Sequence, residues 1–572
     1  MYFFIVLLSL LLTSNLAFSN ESLEIKYVIE PVINDTPHIH IKTIFKGNAN
    51  GKTNLILQNN CGPYQNTSKH IKNISASHKM IKSNEQNVLT TFVHKPSEEI
   101  TVEYDLYQSF VGEPSNHYES DAPVINLNHM HFSTCGVLGH TDKWVEDSQV
   151  LVSFEWLLPN GWKIASSEAV EKEKIKTEIG VKDLYSFFFI AGDDLRFNEY
   201  KLKGGKLSTV TYGKWEFKDK EFADPIAKII EKERDFWNDH NFPYFLIVLT
   251  PLKDTSQGFG GHAGKNYFKL AIPNSFAIND KVEWAFAHEY FHTWNIPFIF
   301  NKEERDNAYW FTEGFTDYYA NLFILRAGLS DIRYYIKEFN EVLVNYYTSP
   351  FINKTNKATH DEMWKDYEIQ KLLYYRGNIL AHNLNAKIKQ ESNGQKSFDD
   401  FIKSLITINK KKETTYLVEG YLTQKIIKDT ARKFIENGIE DDIKRYIENG
   451  ETIELNPSSL GPCITLKKVK TARFKQGFDW DLAKKLKVIS EVRVGSNAYK
   501  AGIRKGQKLI SLDHSGNTAD AAKVTIDDNG KRRAMFFYPY ESELKEIPQF
   551  ILDEEKYKKY PNKCLSWFAE KE

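Results

Sequence analysis

The chain lacks an excess of charge of either sign: 75 Lys and Arg stand against 76 Asp and Glu, a formal net charge of −1. Nothing global therefore points to nucleic acid or to an anionic membrane surface. After the first twenty residues no segment is long and apolar enough to span a bilayer as a helix, so no helical membrane span is expected once the signal is removed. Internal repeats and extended low-complexity segments are missing as well. Cysteine is scarce, with an early pair at 61 and 135 and a late pair at 463 and 564. Disulfides Cys61–Cys135 and Cys463–Cys564 would suit an exported chain; free thiols are the alternative.

What is present begins with an apolar run from Tyr2 to Leu12, a polar break, and Ala17-Phe18-Ser19. This pattern predicts a secretory signal peptide over 1–19, and hence an exported protein, periplasmic or extracellular. A buried or membrane-anchoring helix is the alternative, and no cysteine follows the run to mark a lipoprotein. The remaining length is too great for one core and predicts a multidomain protein.

From 20 to 205 short runs such as "LEIKYVIEPVI" and "DSQVLVSFEWLLP" alternate apolar with polar residues, predicting an N-terminal β-sandwich. From 206 to 455 a small set of strands ("YFLIVLTP", "NYFKLAIP") gives way to helical spacing, predicting a mainly α domain with a small sheet. Strand-like runs return over 456–545, including "LKVISEVRVG", and 546–572 reads as a tail.

The chemistry concentrates in "AFAHEYFHTWNIP", Ala285 to Pro297. Asn279, Asp280 and Glu283 predict a capped helix start, and Pro297 its end. Within it His288 and His292 stand four apart, so both imidazoles can converge on one ion. Glu289 lies about 100° around the helix, off the ligand line but within reach of a water on the metal. A catalytic zinc needs a third protein ligand and an open position. "NAYWFTEGFTDYYANLFILRAGLS" supplies Glu313, on a helix capped by Asp306 or Asn307 and running to Gly328. Glu303 and Glu304, nearer in sequence, sit in a charged loop and read as solvated surface. Gly314 would let the two metal-bearing helices approach closely, and Asp317 is placed to accept the free N–H of a ligand histidine. The set predicts one Zn²⁺ per chain, with Glu289 as general base. "EIQKLLYYRGNILAHNL" offers Tyr374 and Tyr375 as oxyanion donors or as core residues.

"HEYFHTWN", with Trp294 and Asn295 after the second histidine, "WFTEGFTDYY" and "YYRG" together resemble the glycyl aminopeptidase family, PDZ-bearing gluzincin metallopeptidases of bacteria and archaea. The resemblance implies a thermolysin-like catalytic domain over 206–455 and a peptide or protein substrate. It assigns the oxyanion role to Tyr374, with Tyr375 as fallback, and an outer-shell role to Asn295. "VGSNAYKAGIRKGQKLISLD" is similar to a PDZ pattern and implies a PDZ-like α+β domain over 456–545 that could take a C-terminal peptide. The family's Gly-Gly-Leu-Glu-His loop, whose glutamate holds the substrate amine, reads Gly260-Gly261-His262-Ala263-Gly264 here. Gly260 and Gly261 keep the substrate-binding backbone, but Ala263 removes the carboxylate, so an aminopeptidase specificity is not implied. The expected function is zinc-dependent peptide hydrolysis with altered specificity. The alternatives are a degenerate exported peptide-binding protein acting through its PDZ-like domain, and hydrolysis of a non-peptide amide or epoxide.

Overall fold

The computed structural model describes residues 24–570 apart from short internal stretches, the longest being 254–259, 275–279, 296–307 and 411–423. The signal segment, Asn279, Pro297, Glu303, Glu304, Asp306 and Asn307 lie outside the described residues. The chain forms two compact units, 1–220 with 241–277 and 221–240 with 278–572. The N-terminal part is rich in sheet and the C-terminal part mainly helical.

In the first unit, alternation of apolar and polar residues produces strands with one buried face. Strand β1 (Glu24–Val32) buries Ile25, Tyr27 and Ile29 and turns Glu24, Lys26 and Glu30 away from the core. With β2 (His38–Lys46), β3 (Ile71–Ala76), β4 (Glu99–Leu106), β5 (Gln149–Trp156) and β6 (Lys174–Gly180) it makes a sheet ordered β6-β5-β1-β2-β4-β3. The β1–β5 pair is parallel, and its register sets Tyr27 opposite Phe154, whose rings stack 5.6 Å apart. Two four-stranded sheets contribute Leu55, Phe92, Phe132 and Phe189 to the same apolar core. The Cys61–Cys135 disulfide lies in this unit.

A mixed five-stranded sheet completes it: β7 (Arg196–Leu202), β8 (Gly205–Thr211), β9 (Tyr244–Leu252), β10 (Gly260–Gly264) and β11 (Tyr267–Pro273), ordered β7-β8-β9-β11-β10. Strands β9 and β11 are buried along nearly their whole length, which is why they read as continuous apolar runs. The sheet groups with the N-terminal strands and not with the helices, so the boundary expected at 205/206 is not one of compactness. The glycine-rich loop is itself the edge strand β10, antiparallel to β11.

The second unit is built on α1 (Asp219–Trp237), α2 (Asp280–Asn295), α3 (Tyr309–Thr312), α4 (Gly314–Arg326), α5 (Ile332–Tyr347) and α6 (Tyr367–Glu391), with further helices after them. Gly328, at φ 67°, follows the end of α4 and lets the chain turn out of the helix. Asp366 caps α6 by accepting from Glu368 N at 2.8 Å. Among the described residues no helix is long and apolar enough to cross a membrane.

A small C-terminal module has its own core, including Trp480, Ala483, Ile503, Val524 and Phe537. Strands β13 (Lys508–Asp513), β14 (Ala522–Asp528) and β15 (Lys531–Phe537) form one antiparallel sheet, and β12 (Ile464–Thr471) pairs with β16 (Lys545–Leu552). The strand expected over "LKVISEVRVG" does not form. Asp479 instead accepts from Leu482 N and caps α7 (Trp480–Leu486), whose Trp480 and Ala483 face the core at helical spacing. Beyond that helix, 487–495 carries only a single bridge, Val488 to Lys508. The stretch expected as a tail is integrated too. Ile547 and Phe550 of β16 are buried, and Cys564 joins Cys463 in a second disulfide.

Candidate metal centre

Helical period places His288 and His292 on one side of α2, and the pairing of α2 with α4 brings Glu313 to them. Glu313 sits at the joint between α3 and α4, its N–H still bonded to the Tyr309 carbonyl at 2.8 Å. Asn295 fixes this juxtaposition. Its amide donates to Thr312 O at 2.8 Å and to Thr316 Oγ1 at 2.7 Å, clamping the end of α2 to residues on either side of Glu313.

The three side chains converge through their tips. His288 Nε2 and His292 Nε2 are 3.1 Å apart, and Glu313 Oε2 is 3.2 Å from the first and 3.5 Å from the second. A tetrahedral zinc with bonds of ~2.05 Å needs ligand atoms about 3.3 Å apart, so the triangle has the size the ion requires. His288 and His292 are buried, and His288 Nδ1 faces Asp317 Oδ1 at 2.8 Å. That contact leaves the Nε2 lone pair free to point at the shared centre. Among the described residues this is the one group of three or more His, Cys, Asp or Glu side chains close enough to hold a metal.

The electrostatics agree with a site that wants a cation. Burial would push the Glu313 carboxyl up, but the two imidazoles outweigh it and hold it well below the usual carboxylate range. Burial would lower His288; Asp317 and Glu313 reverse this and push it up to about 10. The donor set thus holds positive charge where an ion would sit.

Glu289, half-buried on α2, lies close enough to Tyr374 for its charge to act on that hydroxyl. Tyr374 comes from α6, its ring 6.1 Å from His288 and inclined by 15°. Burial, followed by the charge of Glu313 and then of Asp317, drives its hydroxyl far above the ordinary phenol value, so it stays an O–H donor. The Tyr375 ring makes no such contact with the histidines. Gly314 explains how α6 arrives: a methyl group there would strike the backbone of Gly377, and one on Gly377 would overlap the Trp310 carbonyl. The close approach that Gly314 permits is therefore between α4 and α6, not between α2 and α4. It ties the residue after Glu313 to the residue three after Tyr374.

Sequence reading passed over two participants. Thr316 receives the Asn295 clamp. Glu233 of α1 is fully buried, with neither carboxylate oxygen hydrogen-bonded among the described residues. Burial raises it well above the ordinary carboxylate value, and the charge of His288 opposes the rise. Thr316 lies within the "WFTEGFTDYY" stretch without a role the sequence would assign it, and Glu233 lies in no motif, so only the folded chain reveals them.

Gly260 and Gly261 lie on β10 in the first unit, where Ala263 is exposed and carries no acid. His262 of the same strand is 3.3 Å from Asp121, which also lies 3.4 Å from the ammonium of Lys269. Lys269 is buried and donates to the Ser120 carbonyl as well. Burial would raise Asp121, but His262 and Lys269 hold its carboxyl below the usual value.

No curated protein matches the chain significantly. Among solved structures it is similar to an aminopeptidase N family protein from Idiomarina loihiensis, with 17% identity and a TM-score of 0.66. That alignment covers 96% of this chain and 100% of the other, and the likeness is one of fold. An M1 zinc metallopeptidase from Deinococcus radiodurans aligns at 12% identity over 76% of this chain and 96% of its own, with a TM-score of 0.44. Residues 282–380, from the first turn of α2 into the middle of α6, match the model of the M61 glycyl aminopeptidase family.

Proposed function

We infer that the chain is a zinc-dependent metallopeptidase in which His288, His292 and Glu313 hold the ion. The observation that carries this reading is the 3.1–3.5 Å triangle of their ligand atoms, with Asp317 behind His288. When bound, zinc supplies an activated water at neutral pH and an electrophile for the scissile carbonyl. Glu289 takes the proton from that water and returns it to the leaving amine. The Tyr374 hydroxyl donates to the oxygen on which negative charge develops. Asn295 and Asp317 keep the ligands oriented.

Specificity departs from aminopeptidase behaviour, because Ala263 stands where the resembled family's loop carries its amine-binding glutamate. The two disulfides and the N-terminal apolar run support export. One experiment tests the reading: hydrolysis of a single peptide, with its amine free and acetylated, by the zinc-loaded wild type and by Glu289→Gln. The wild type should cleave both forms within about tenfold of each other. The variant should bind one zinc and lose at least about a thousandfold in kcat. A variant that turned over normally would remove Glu289 from its role, and a wild type active on the free amine alone would restore the aminopeptidase.

A further inference from the structure

Along α6, Tyr367, Lys371 and Tyr374 stand four and three residues apart, and so share one face. The stripe starts at the surface, where Tyr367 is 69% exposed and the nearby Trp364 74% exposed. It ends at Tyr374, whose ring lies against His288. Between them the Lys371 ammonium sits 4.0 Å from the centroid of the Tyr374 ring and 5.6 Å from that of Tyr367. Lys371 has no carboxylate at ion-pair distance among the described residues, although the charges of Glu313, Asp317 and Glu289 all act on the neighbouring Tyr374 hydroxyl. The nearby Glu368 is already engaged by Arg473 at 2.7 Å.

Two aromatic faces hold a half-buried cation and donate no counter-charge beyond their rings. A carboxylate arriving there would find N–H donors screened from water on two sides, where a charge pair gains strength. We propose that Lys371, flanked by Tyr367 and Tyr374, is a substrate subsite for a carboxylate, carried by an acidic side chain or by the peptide C-terminus close to the scissile bond. Each extended residue covers ~3.3–3.6 Å, so a carboxylate within two or three residues of a carbonyl at the metal centre reaches this ammonium. The inference rests on the peptidase reading above for the identity of the ligand.

The test uses the zinc-loaded full chain and three forms of one alanine-rich pentapeptide: the C-terminal amide, the free acid, and the amide with one glutamate moved along the sequence. The wild type should favour at least one carboxylate-bearing form over the neutral amide by about tenfold in kcat/KM, the worth of a charge-assisted hydrogen bond. Whether the free acid or a glutamate form is favoured identifies the source of the carboxylate. Lys371→Met should bring the ratio of charged to neutral substrate close to one, and Lys371→Arg should restore most of it. A wild type without preference overturns the proposal. So does a Met variant that slows all three peptides alike with the ratio unchanged, which would make Lys371 a prop for the Tyr374 ring. If the wild type cleaves none of the three, the peptidase reading fails. Calorimetric binding of free acid against amide then decides the subsite: discrimination lost in Lys371→Met upholds it, and equal binding by both chains overturns it.

Discussion

In the first unit, Lys269 is buried with its ammonium 3.4 Å from Asp121, and His262 supports the same carboxylate at 3.3 Å. In the second unit, the tips of His288, His292 and Glu313 are drawn just as close around one point. The first cluster is a closed account of charge: cation, anion and hydrogen-bond donors all belong to the protein. The second is complete only with an added cation or proton. Burial of ionisable groups is common to both, so burial alone does not mark a functional site. The distinction lies in whether the buried groups satisfy one another.

This contrast can be broken most forcefully at Asp121. Asp121→Asn leaves the Lys269 ammonium buried without its anion and should cost about 3–5 kcal/mol of stability, read from urea unfolding. Near wild-type stability would mean that water, not Asp121, satisfies the lysine. The metal centre should respond to a ligand instead. Zinc at ~100 times its Kd should add about 2.7 kcal/mol of stability, seen as a rise in Tm that chelator reverses and that His292→Ala abolishes. No zinc-dependent rise would put the triad in the same class as the Asp121 cluster.

The smallest effect concerns Glu233, a buried group that neither cluster satisfies. Its carboxyl is raised above the ordinary 4.5, so the folded chain keeps a proton that the unfolded chain has released. Stability from this group is therefore full below pH 4.5 and falls as pH rises, by up to about 1.4 kcal/mol per unit. Glu233→Gln should flatten the high-pH side of the stability profile, and identical profiles for variant and wild type would show the carboxyl to be ionised in the fold.

How much of this could be read in advance follows from the range over which each signal acts. The four-residue step from His288 to His292 is a local helical fact, visible in any chain. Glu313 needed one assumption, a return helix after 20 intervening residues, and the structure brings it to the histidines. The partner of Gly314 was misassigned because a glycine signals close approach without naming what approaches. The run 486–495 failed for a different reason. Its alternation has period two, but the Asp479 cap and the Trp480–Ala483 spacing act first and wind the preceding turns into helix. Asp121, Lys269 and Glu233 gave no signal, since their neighbours are distant in sequence and no motif encloses them.

The contact between Gly314 and Gly377 has a mechanical consequence. Where helices meet through side chains, rotamer changes can absorb a shift of one against the other. Here main chain rests on main chain, and no such cushion exists. Glu313 precedes one glycine by a single residue, and Tyr374 precedes the other by three. Any motion of α4 is therefore passed to α6 undamped, and the spacing between Glu313 and Tyr374 is governed by two rigid rods in direct touch.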